Sequence, residues 1–248
     1  EYVLLVGGYH LVPSYPIDYS IGELSETVFV DNFYVIDGEE PPYNLQIPLA
    51  RIPAETTEQL INVLHKTIYV ENQDYRNLYG ADFLFLADNL QHDSPIEFFE
   101  ESTAELIEQL PEDQSWRRID VDSASTYFGT RQNFLDELDL NPLVVNFFGH
   151  ANEKLWTHEI MLTYQDVDSV NNHLAPFLIL PLTCNTLVSD TPDSVLINRF
   201  LWAENKGAFG AIAPGGLQYA TDLDTLAKRI YQELFHRHPA RMGDVLQY

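Results

Sequence analysis

Short apolar runs recur along this chain, and stretches with helical periodicity lie between most of them. The apolar runs are typical of strands and lie at Tyr2–Val6, Phe33–Ile36, Asp82–Ala87, Arg117–Val121, Leu143–Phe148, Phe177–Leu182 and Ala208–Ala213. The helical stretches are Thr56–Val70, Glu97–Leu110, Thr130–Leu138, Gln165–Asn172, Ser194–Asn205 and Thr221–Phe235. Strands that alternate with helices predict an α/β fold, with a mostly parallel sheet flanked by helices on both faces.

The first helical stretch has a candidate cap and an apolar face. Thr56 and Thr57 stand where a helix N-cap is expected. The apolar residues that share one face are Leu60, Ile61, Leu64 and Ile68. This pattern predicts a helix that packs this face against the core.

Two of the apolar runs are followed by side chains that carry chemistry. His150 comes two residues after the run Leu143–Phe148, and Cys184, the chain's one cysteine, comes two residues after Phe177–Leu182. Neighbouring parallel strands would place both side chains outside the carboxyl ends of the sheet, where sites form in open α/β folds. A thiol and an imidazole there are the parts of a cysteine nucleophile and its base. The alternative is a buried structural cysteine with an unrelated histidine.

Three further groups are expected at the same edge of the sheet. The backbone amides of Ala151 and Cys184 follow the two strands and form a candidate oxyanion hole. Asp88 directly follows the run Asp82–Ala87 and is a candidate for orienting the histidine. The alternative for Asp88 is a cap of a helix or turn. Gly215 and Gly216 are expected to form a flexible loop of the cleft.

Composition and charge narrow the possible functions. The 248 residues are 45% hydrophobic and 21% charged, which is typical of a globular protein. A single cysteine excludes a disulfide framework and a cysteine-rich zinc site. The net charge of −25 excludes a general binder of nucleic-acid backbones, because such binding depends on Lys and Arg. It suits a cationic substrate, a calcium-rich exterior or a salty habitat, and a solvated acidic surface is the alternative.

The acidic residues include two candidate sites for structural calcium. The chemistry expected here requires no cofactor. One is the cluster Asp18–Glu26, and the other is the pair Asp120 and Asp122. Solvated acidic loops are the alternative for both. No apolar stretch reaches the roughly 18 residues needed to span a bilayer.

Several blocks of the chain, in their order and spacing, resemble one family of enzymes. The blocks are Phe148-Gly-His-Ala-Asn-Glu-Lys-Leu-Trp156, Pro181-Leu-Thr-Cys-Asn185, Lys206-Gly-Ala-Phe-Gly-Ala-Ile-Ala213, Asp31-Asn-Phe-Tyr-Val-Ile-Asp-Gly38 and Ala50-Arg-Ile-Pro-Ala54, the last followed by Lys66 and Glu71. The chain resembles the gingipain-like cysteine peptidases of family C25, relatives of the caspases. It departs from the family pattern at Ala151, where a glycine is usual, and at Asn198, where a glutamate is common.

The resemblance implies a caspase-like fold and a cysteine endopeptidase that acts on polypeptides. By this resemblance Cys184 is the nucleophile and His150 is the base. The amides of Ala151 and Cys184 form the oxyanion hole, and Asp88 supports the histidine. A sortase-like transpeptidase with the same dyad is an alternative, and so is a non-catalytic caspase-like scaffold or binding module within a larger surface protein.

The resemblance also implies where the substrate binds. Trp156 is expected to line the cleft. Asp93 or Glu97 is expected to bind a basic side chain before the scissile bond, and a solvated loop or helix start is the alternative for both acids.

The chain is expected to be a piece of a longer, extracellular or cell-surface polypeptide with further domains. It begins at Glu1 and continues directly into a strand-like run. Within it, the weakest boundary falls near Asn72–Gly80. We therefore divide it into residues 1–80, the N-terminal part of the catalytic region, and residues 81–248, the caspase-like subdomain with the His/Cys dyad.

The acidic composition leads to a first prediction, on stability in salt. The chain has 13 Lys and Arg against 38 Asp and Glu, so internal ion pairing cannot cancel the repulsion. We expect the melting temperature to rise with added NaCl or calcium, because both screen or bind the carboxylates. Thermal melts in low salt, in high NaCl and in millimolar CaCl₂ separate general screening from a specific calcium site. A melting temperature that is the same in all three solutions would contradict the prediction.

Overall fold

The computed structural model describes residues 1–37, 44–45, 47–73, 79–89, 98–187, 192–237 and 241–245. The strands in this part of the chain are β1 Val3–Val6, β2 Tyr15–Ile21, β3 Leu24–Val30, β4 Ile36–Asp37, β5 Asn44–Leu45, β6 Leu49–Ile52, β7 Ala81–Ala87, β8 Trp116–Asp120, β9 Pro142–Phe148, β10 Leu155–Trp156, β11 Leu162–Thr163, β12 Phe177–Leu182 and β13 Ala208–Ala211. The α-helices are α1 Thr57–Glu71, α2 Phe99–Glu108, α3 Arg131–Leu138, α4 Leu196–Trp202, α5 Ala220–Gln232 and α6 Met242–Val245. None of the helices described here is long and apolar enough to cross a membrane.

The centre of the fold is a parallel sheet. Within the described residues it has five strands in the order β13-β12-β9-β7-β8. Every neighbouring pair in it is parallel. Each of β7, β9 and β12 is buried along most of its length, as expected for strands covered on both faces.

Helices cover both faces of this sheet, which confirms the predicted fold class. Side chains alternate between the faces along each strand, as the pleat requires. On one face Leu84 and Val145 share a core with α1, α3 and α4. On the other face Phe85 and Leu180 share a core with α2, α5 and α6.

The N-terminal region forms small sheets beside the central one. Strands β2 and β3 form an antiparallel hairpin, and β1 pairs in parallel with β6. Arg51 at β6 ties these elements together. Its guanidinium binds Asp31 through two nitrogens, each 2.6 Å from a carboxylate oxygen, and it donates to the carbonyl oxygen of Gly7 at 2.6 Å.

Helix α1 begins as predicted but buries a different face. Thr56 is the N-cap, and its hydroxyl and the Gln59 side chain form a reciprocal capping box. The helix buries Val63 and Lys66, and it packs against α4 and β13. Three of the four residues expected to face the core are exposed instead, namely Ile61, Leu64 and Ile68. Helix α1 lies in residues 1–80 and packs on α4 and β13, which lie in residues 81–248. The division at residue 80 stays a prediction.

Two predicted elements are wrong. Residues Phe33–Ile36 were expected to be a strand, but the chain forms a 3₁₀ turn at Asn32–Tyr34 before the short strand β4. Residues Gln165–Asn172 were expected to be a helix, but only Asp166–Asp168 form a 3₁₀ turn. The Asp166 carboxylate accepts hydrogen bonds from the Thr163 backbone and hydroxyl, each 2.8 Å long, and such side-chain bonds compete with helix formation.

Lys66 is a buried lysine that links α1 to α4. Its side chain is 2% exposed, and Nζ donates to the carbonyl oxygens of Phe200 and Lys206, each at 2.9 Å. The Phe200 carbonyl lies in the last turn of α4, where carbonyl groups lack partners within the helix. Burial lowers the pKa of Lys66 from 10.5 to about 7.

We therefore expect a pH-dependent contribution of Lys66 to stability. Between pH 7 and 10.5 the unfolded chain holds the Lys66 proton while the folded chain releases it, so stability rises with pH in this window. The slope reaches at most about 1.4 kcal/mol per pH unit. In Lys66→Met this contribution is absent, so the wild-type chain should gain stability relative to the variant as the pH rises from 7 to 10.

Denaturant unfolding of both chains at several pH values measures this difference. Lys206→Met is the matched control for the loss of hydrogen bonds, because Nζ of Lys206 also donates to two backbone carbonyls. A stability difference between wild type and Lys66→Met that stays constant from pH 7 to 10 would show that Lys66 is not deprotonated on folding.

Candidate active site

The pairing of β9 with β12 places His150 and Cys184 at one edge of the sheet. Phe148 is opposite Leu182 in the parallel register, and each functional residue follows two positions later. The Gly149 N–H donates to the Leu182 carbonyl at 3.4 Å, so the strands are still connected where they end. The two side chains thus leave neighbouring strand ends, as predicted for a nucleophile and its base.

Asp88 holds the histidine from the other neighbouring strand. Strand β7 pairs with β9 up to Ala87 opposite Phe148, so Asp88 emerges beside the start of the histidine loop. Its side chain has no exposed surface. Oδ2 accepts from the backbone N–H of His150 at 2.9 Å and lies 3.2 Å from Nδ1 of the imidazole. Oδ1 accepts from the Asn89 N–H at 2.9 Å, so Asp88 also caps its own turn.

The close approach of Asp88 requires a glycine before the histidine. A Cβ at Gly149 would lie 2.2 Å from the Cβ of Asp88 and 2.8 Å from the ring of Phe147. Both neighbours are buried, so neither has room to move. Gly149 is therefore needed for the Asp88–His150 contact.

The histidine ring is framed by aromatic side chains. Its centroid is 5.1 Å from that of Phe99 in an edge-on arrangement, and 5.8 Å from that of His158. The side chain is 35% exposed. The imidazole is therefore positioned on one side by α2 and remains accessible from the surface.

Trp156 does not lie where it was expected. The residues after His150 form a tight connection, in which the Thr157 N–H donates to the His150 carbonyl at 2.8 Å. This connection turns the indole of Trp156 into the core, where it is fully buried and stacks on Phe147 with a centroid distance of 4.5 Å. The expectation that Trp156 lines the cleft is wrong in this structure, because the side chain offers no surface to a substrate.

Cys184 sits in the turn that follows β12, and hydrogen bonds hold this turn against the loop before α5. Its Sγ accepts from the Gln218 N–H at 3.4 Å and lies 3.5 Å from the Gln218 carbonyl oxygen. The next residue, Asn185, has a φ of +46°, and its N–H donates to the Gly216 carbonyl at 3.1 Å. The loop with Gly215 and Gly216 thus contacts the turn that carries Cys184.

The surroundings of Cys184 favour the neutral thiol. Burial raises the pKa of the Cys184 thiol, the Gln218 N–H lowers it, and the Glu26 carboxylate raises it. A thiol with a raised pKa needs a base to become a nucleophile.

Sequence reasoning missed Glu26 and Gln218. Glu26 belongs to the β2–β3 hairpin, and its carboxylate accepts from the Leu217 N–H. The hairpin packs so closely that a Cβ at Gly216 would lie 2.7 Å from Val28. Glu26 and Gln218 are both far from Cys184 in the chain, so no local spacing in the sequence indicated them.

The two amides expected to form an oxyanion hole are available. Ala151 and Trp156 form an antiparallel β-bridge. Its two hydrogen bonds are made by the neighbouring residues: the Thr157 N–H donates to the His150 carbonyl, and the Asn152 N–H donates to the Leu155 carbonyl. Among the described residues, no acceptor bonds the backbone N–H of Ala151 or that of Cys184.

The other predicted site residues either lie outside the described residues or make contacts other than the expected ones. Asp93 and Glu97 lie outside the described residues. Asp120 is buried and binds the guanidinium of Arg118 at 2.7 and 2.9 Å. Within the described ranges, no group of three or more His, Cys, Asp or Glu is placed to hold a metal ion, and structural calcium stays a prediction.

Solved structures with a similar fold include a cysteine proteinase. The crystal structure of the Arg-specific cysteine proteinase gingipain R matches with a TM-score of 0.77 and 20% identity, covering 96% of this chain and 54% of that one. The complex of the pro- and mature domains of RgpB from Porphyromonas gingivalis matches with a TM-score of 0.74 and 20% identity, covering 96% and 55%. A structure described only as a protease matches with a TM-score of 0.64 and 16% identity, covering 90% and 47%. This chain therefore has the caspase-like fold of gingipain and spans about half the length of these proteins.

The sequence itself identifies the family. None of the curated proteins matches the chain. The model of peptidase family C25 matches residues 1–248, which is the whole chain. The chain therefore belongs to peptidase family C25, a family of cysteine-type peptidases.

Proposed function

We propose that this chain is a catalytic unit that cleaves polypeptides through Cys184, with His150 as its base. One observation carries the proposal: three neighbouring strands, β7, β9 and β12, deliver Asp88, His150 and Cys184 to one edge of the sheet. Family membership supports a polypeptide substrate.

The chemistry follows from the contacts of each group. Nδ1 of His150 faces the Asp88 carboxylate, so the tautomer with a proton on Nδ1 leaves Nε2 to take the thiol proton. The sulfur of Cys184 then bonds to the substrate carbonyl carbon, whose oxygen becomes an oxyanion. The amides of Ala151 and Cys184 donate to this oxyanion.

Breakdown of this intermediate completes the first half of the reaction. The imidazolium returns its proton to the leaving amine, and the peptide bond breaks. The product is an acyl-thioester on Cys184. Water then attacks the thioester in a peptidase.

Two alternatives use the same fold. In a transpeptidase an amine instead of water attacks the thioester, so product analysis in the presence of a peptide amine separates the two enzymes. In a non-catalytic scaffold Cys184 forms no thioester, so a peptide-based thiol probe would not label the folded protein. Cleavage after basic residues depends on Asp93 or Glu97 and stays a prediction. An extracellular or cell-surface location and further domains of a longer chain belong to this proposal.

Replacing the dyad residues tests the proposal directly. We expect Cys184→Ala and His150→Ala each to lower peptide cleavage by about 10³-fold or more, since each removes a reacting group. The matched control for the second variant is His158→Ala, because His158 is an exposed neighbour of the same ring. It should keep most of the activity. Cleavage assays with purified, folded variants, checked by thermal melts, measure these effects, and full activity in Cys184→Ala would refute the proposal.

Asp88→Asn tests the positioning of the histidine. The amide keeps the size of the carboxylate but removes one acceptor oxygen and its charge, so the imidazole loses its fixed tautomer. We expect kcat to fall by about 10²-fold or more with little change in KM, because Asp88 does not touch the substrate. Steady-state kinetics at matched folded fractions give this split. A rise in KM alone would mean that Asp88 shapes the binding surface and does not act through His150.

A further inference from the structure

A short loop, residues 214–218, lies between β13 and α5 and contacts the candidate nucleophile. Two of its carbonyl groups accept hydrogen bonds from backbone N–H groups of the turn that carries Cys184, at 3.1 and 3.2 Å. Its last residue, Gln218, donates its backbone N–H to Sγ of Cys184 at 3.4 Å. The position of this loop therefore determines whether the Gln218 N–H points at the sulfur.

The β2–β3 hairpin holds the other side of the same loop. Side chains alternate between the two faces of a hairpin, and Glu26 and Val28 lie on the half-buried face. The Glu26 carboxylate accepts from the backbone N–H of Leu217. A Cβ at Gly216 would lie 2.7 Å from Val28 and 2.8 Å from Oε1 of Glu26, so the loop and the hairpin are in direct contact. The loop is thus packed between the hairpin and the turn of the nucleophile.

The two hydrogen bonds of the loop are donated by consecutive residues. The Leu217 N–H binds Glu26, and the Gln218 N–H binds Sγ. Because peptide units are planar, only the two backbone torsions of Leu217 separate these N–H groups, and fixing the first restricts the direction of the second. A hydrogen bond from an N–H to a carboxylate is also roughly twice as strong as one between neutral groups.

We propose that Glu26 is a positioning residue for Cys184. Its carboxylate anchors the Leu217 N–H and thereby directs the Gln218 N–H at the sulfur. The proposal rests on the proposed function, in which Cys184 is the nucleophile. A hydrogen bond to the sulfur stabilises the thiolate that forms when His150 takes the thiol proton.

The negative charge of Glu26 opposes the effect of its hydrogen bond. Burial raises the pKa of the Cys184 thiol, the Gln218 N–H lowers it, and the Glu26 carboxylate raises it. The titratable groups on the elements around the sulfur are Glu26 and its cross-strand partner Tyr19 on the hairpin, His150 at the end of β9, and Tyr219 after the loop. Two substitutions separate the charge of Glu26 from its hydrogen bond, because Gln removes the charge but keeps an acceptor oxygen, whereas Ala removes both.

The test is the rate of alkylation by iodoacetamide as a function of pH, which reports on Cys184 alone because the chain has one cysteine. We expect Glu26→Ala to be alkylated about 5-fold more slowly than Glu26→Gln at pH 7, with its pH profile at higher pH, because the thiolate loses a hydrogen bond. Glu26→Gln should be alkylated at least as fast as wild type, since removal of a like charge favours the thiolate.

Peptide cleavage gives a second readout of the same variants. We expect kcat/KM of Glu26→Ala to be about 10-fold below that of Glu26→Gln, because a displaced loop leaves the nucleophile poorly oriented. Glu23→Gln and Glu23→Ala are the matched controls, since Glu23 is an exposed residue in the turn of the same hairpin. Both controls should behave as wild type in alkylation and in cleavage.

Equal alkylation rates and pH profiles in Glu26→Gln and Glu26→Ala would overturn the inference, because the hydrogen bond of Glu26 would then have no effect on the sulfur. If these variants are equal while wild type cleaves peptides through Cys184, the inference fails and the proposed function stands. If wild type shows no Cys184-dependent cleavage, the proposed function fails, and the alkylation profiles still decide whether Glu26 positions the sulfur.

Gly216→Ala tests the same contact without changing Glu26. The added Cβ has no room between the loop and the hairpin, so one of them must move. We expect this variant to be alkylated about 3-fold more slowly than wild type, with its pH profile at higher pH. Alkylation at the wild-type rate would overturn the inference, so the test remains decisive even if Glu26→Ala does not fold.

Discussion

The parallel register of three adjacent strands is the constraint on which the candidate site depends. In the order β12-β9-β7, Leu182, Phe148 and Ala87 lie side by side, and the next residues of each strand leave the sheet together. The buried apolar side chains of these strands fix this register, because a shift by one residue would turn every side chain to the opposite face. The same packing that stabilises the core therefore also sets the distance between the thiol, the imidazole and the carboxylate.

Much of this arrangement could be predicted because the signals are local. The strand Phe177–Leu182 was predicted with both of its ends, since a continuous apolar run followed by polar residues marks a buried parallel strand and its end. The positions of His150 and Cys184 followed from this, because parallel strands always end at a common edge. The contact between Asp88 and His150 was predicted from the resemblance, and it depends on Gly149, whose missing side chain is visible in the sequence.

Some of the predictions that were wrong concern positions where contacts with other parts of the chain override the local pattern. Helix α1 has apolar residues on a face that stays exposed, while Lys66, a polar residue, is buried because two carbonyl groups of other elements bind it. Trp156 was expected to line the substrate cleft, but the turn after His150 directs it into the core. The Glu26 carboxylate accepts from the Leu217 N–H, in the loop that contacts Cys184. Glu26 belongs to a hairpin more than a hundred residues earlier in the chain, and such a contact cannot be predicted from the periodicity of apolar residues.

The surroundings of Cys184 favour the neutral thiol over the thiolate. Cys184 lies in a protein with a net charge of −25, and burial and the nearby Glu26 carboxylate both raise the pKa of its thiol. A single backbone N–H, that of Gln218, acts in the opposite direction. In the proposed mechanism the resting thiol is therefore neutral, and the negative charge first appears on the substrate oxygen.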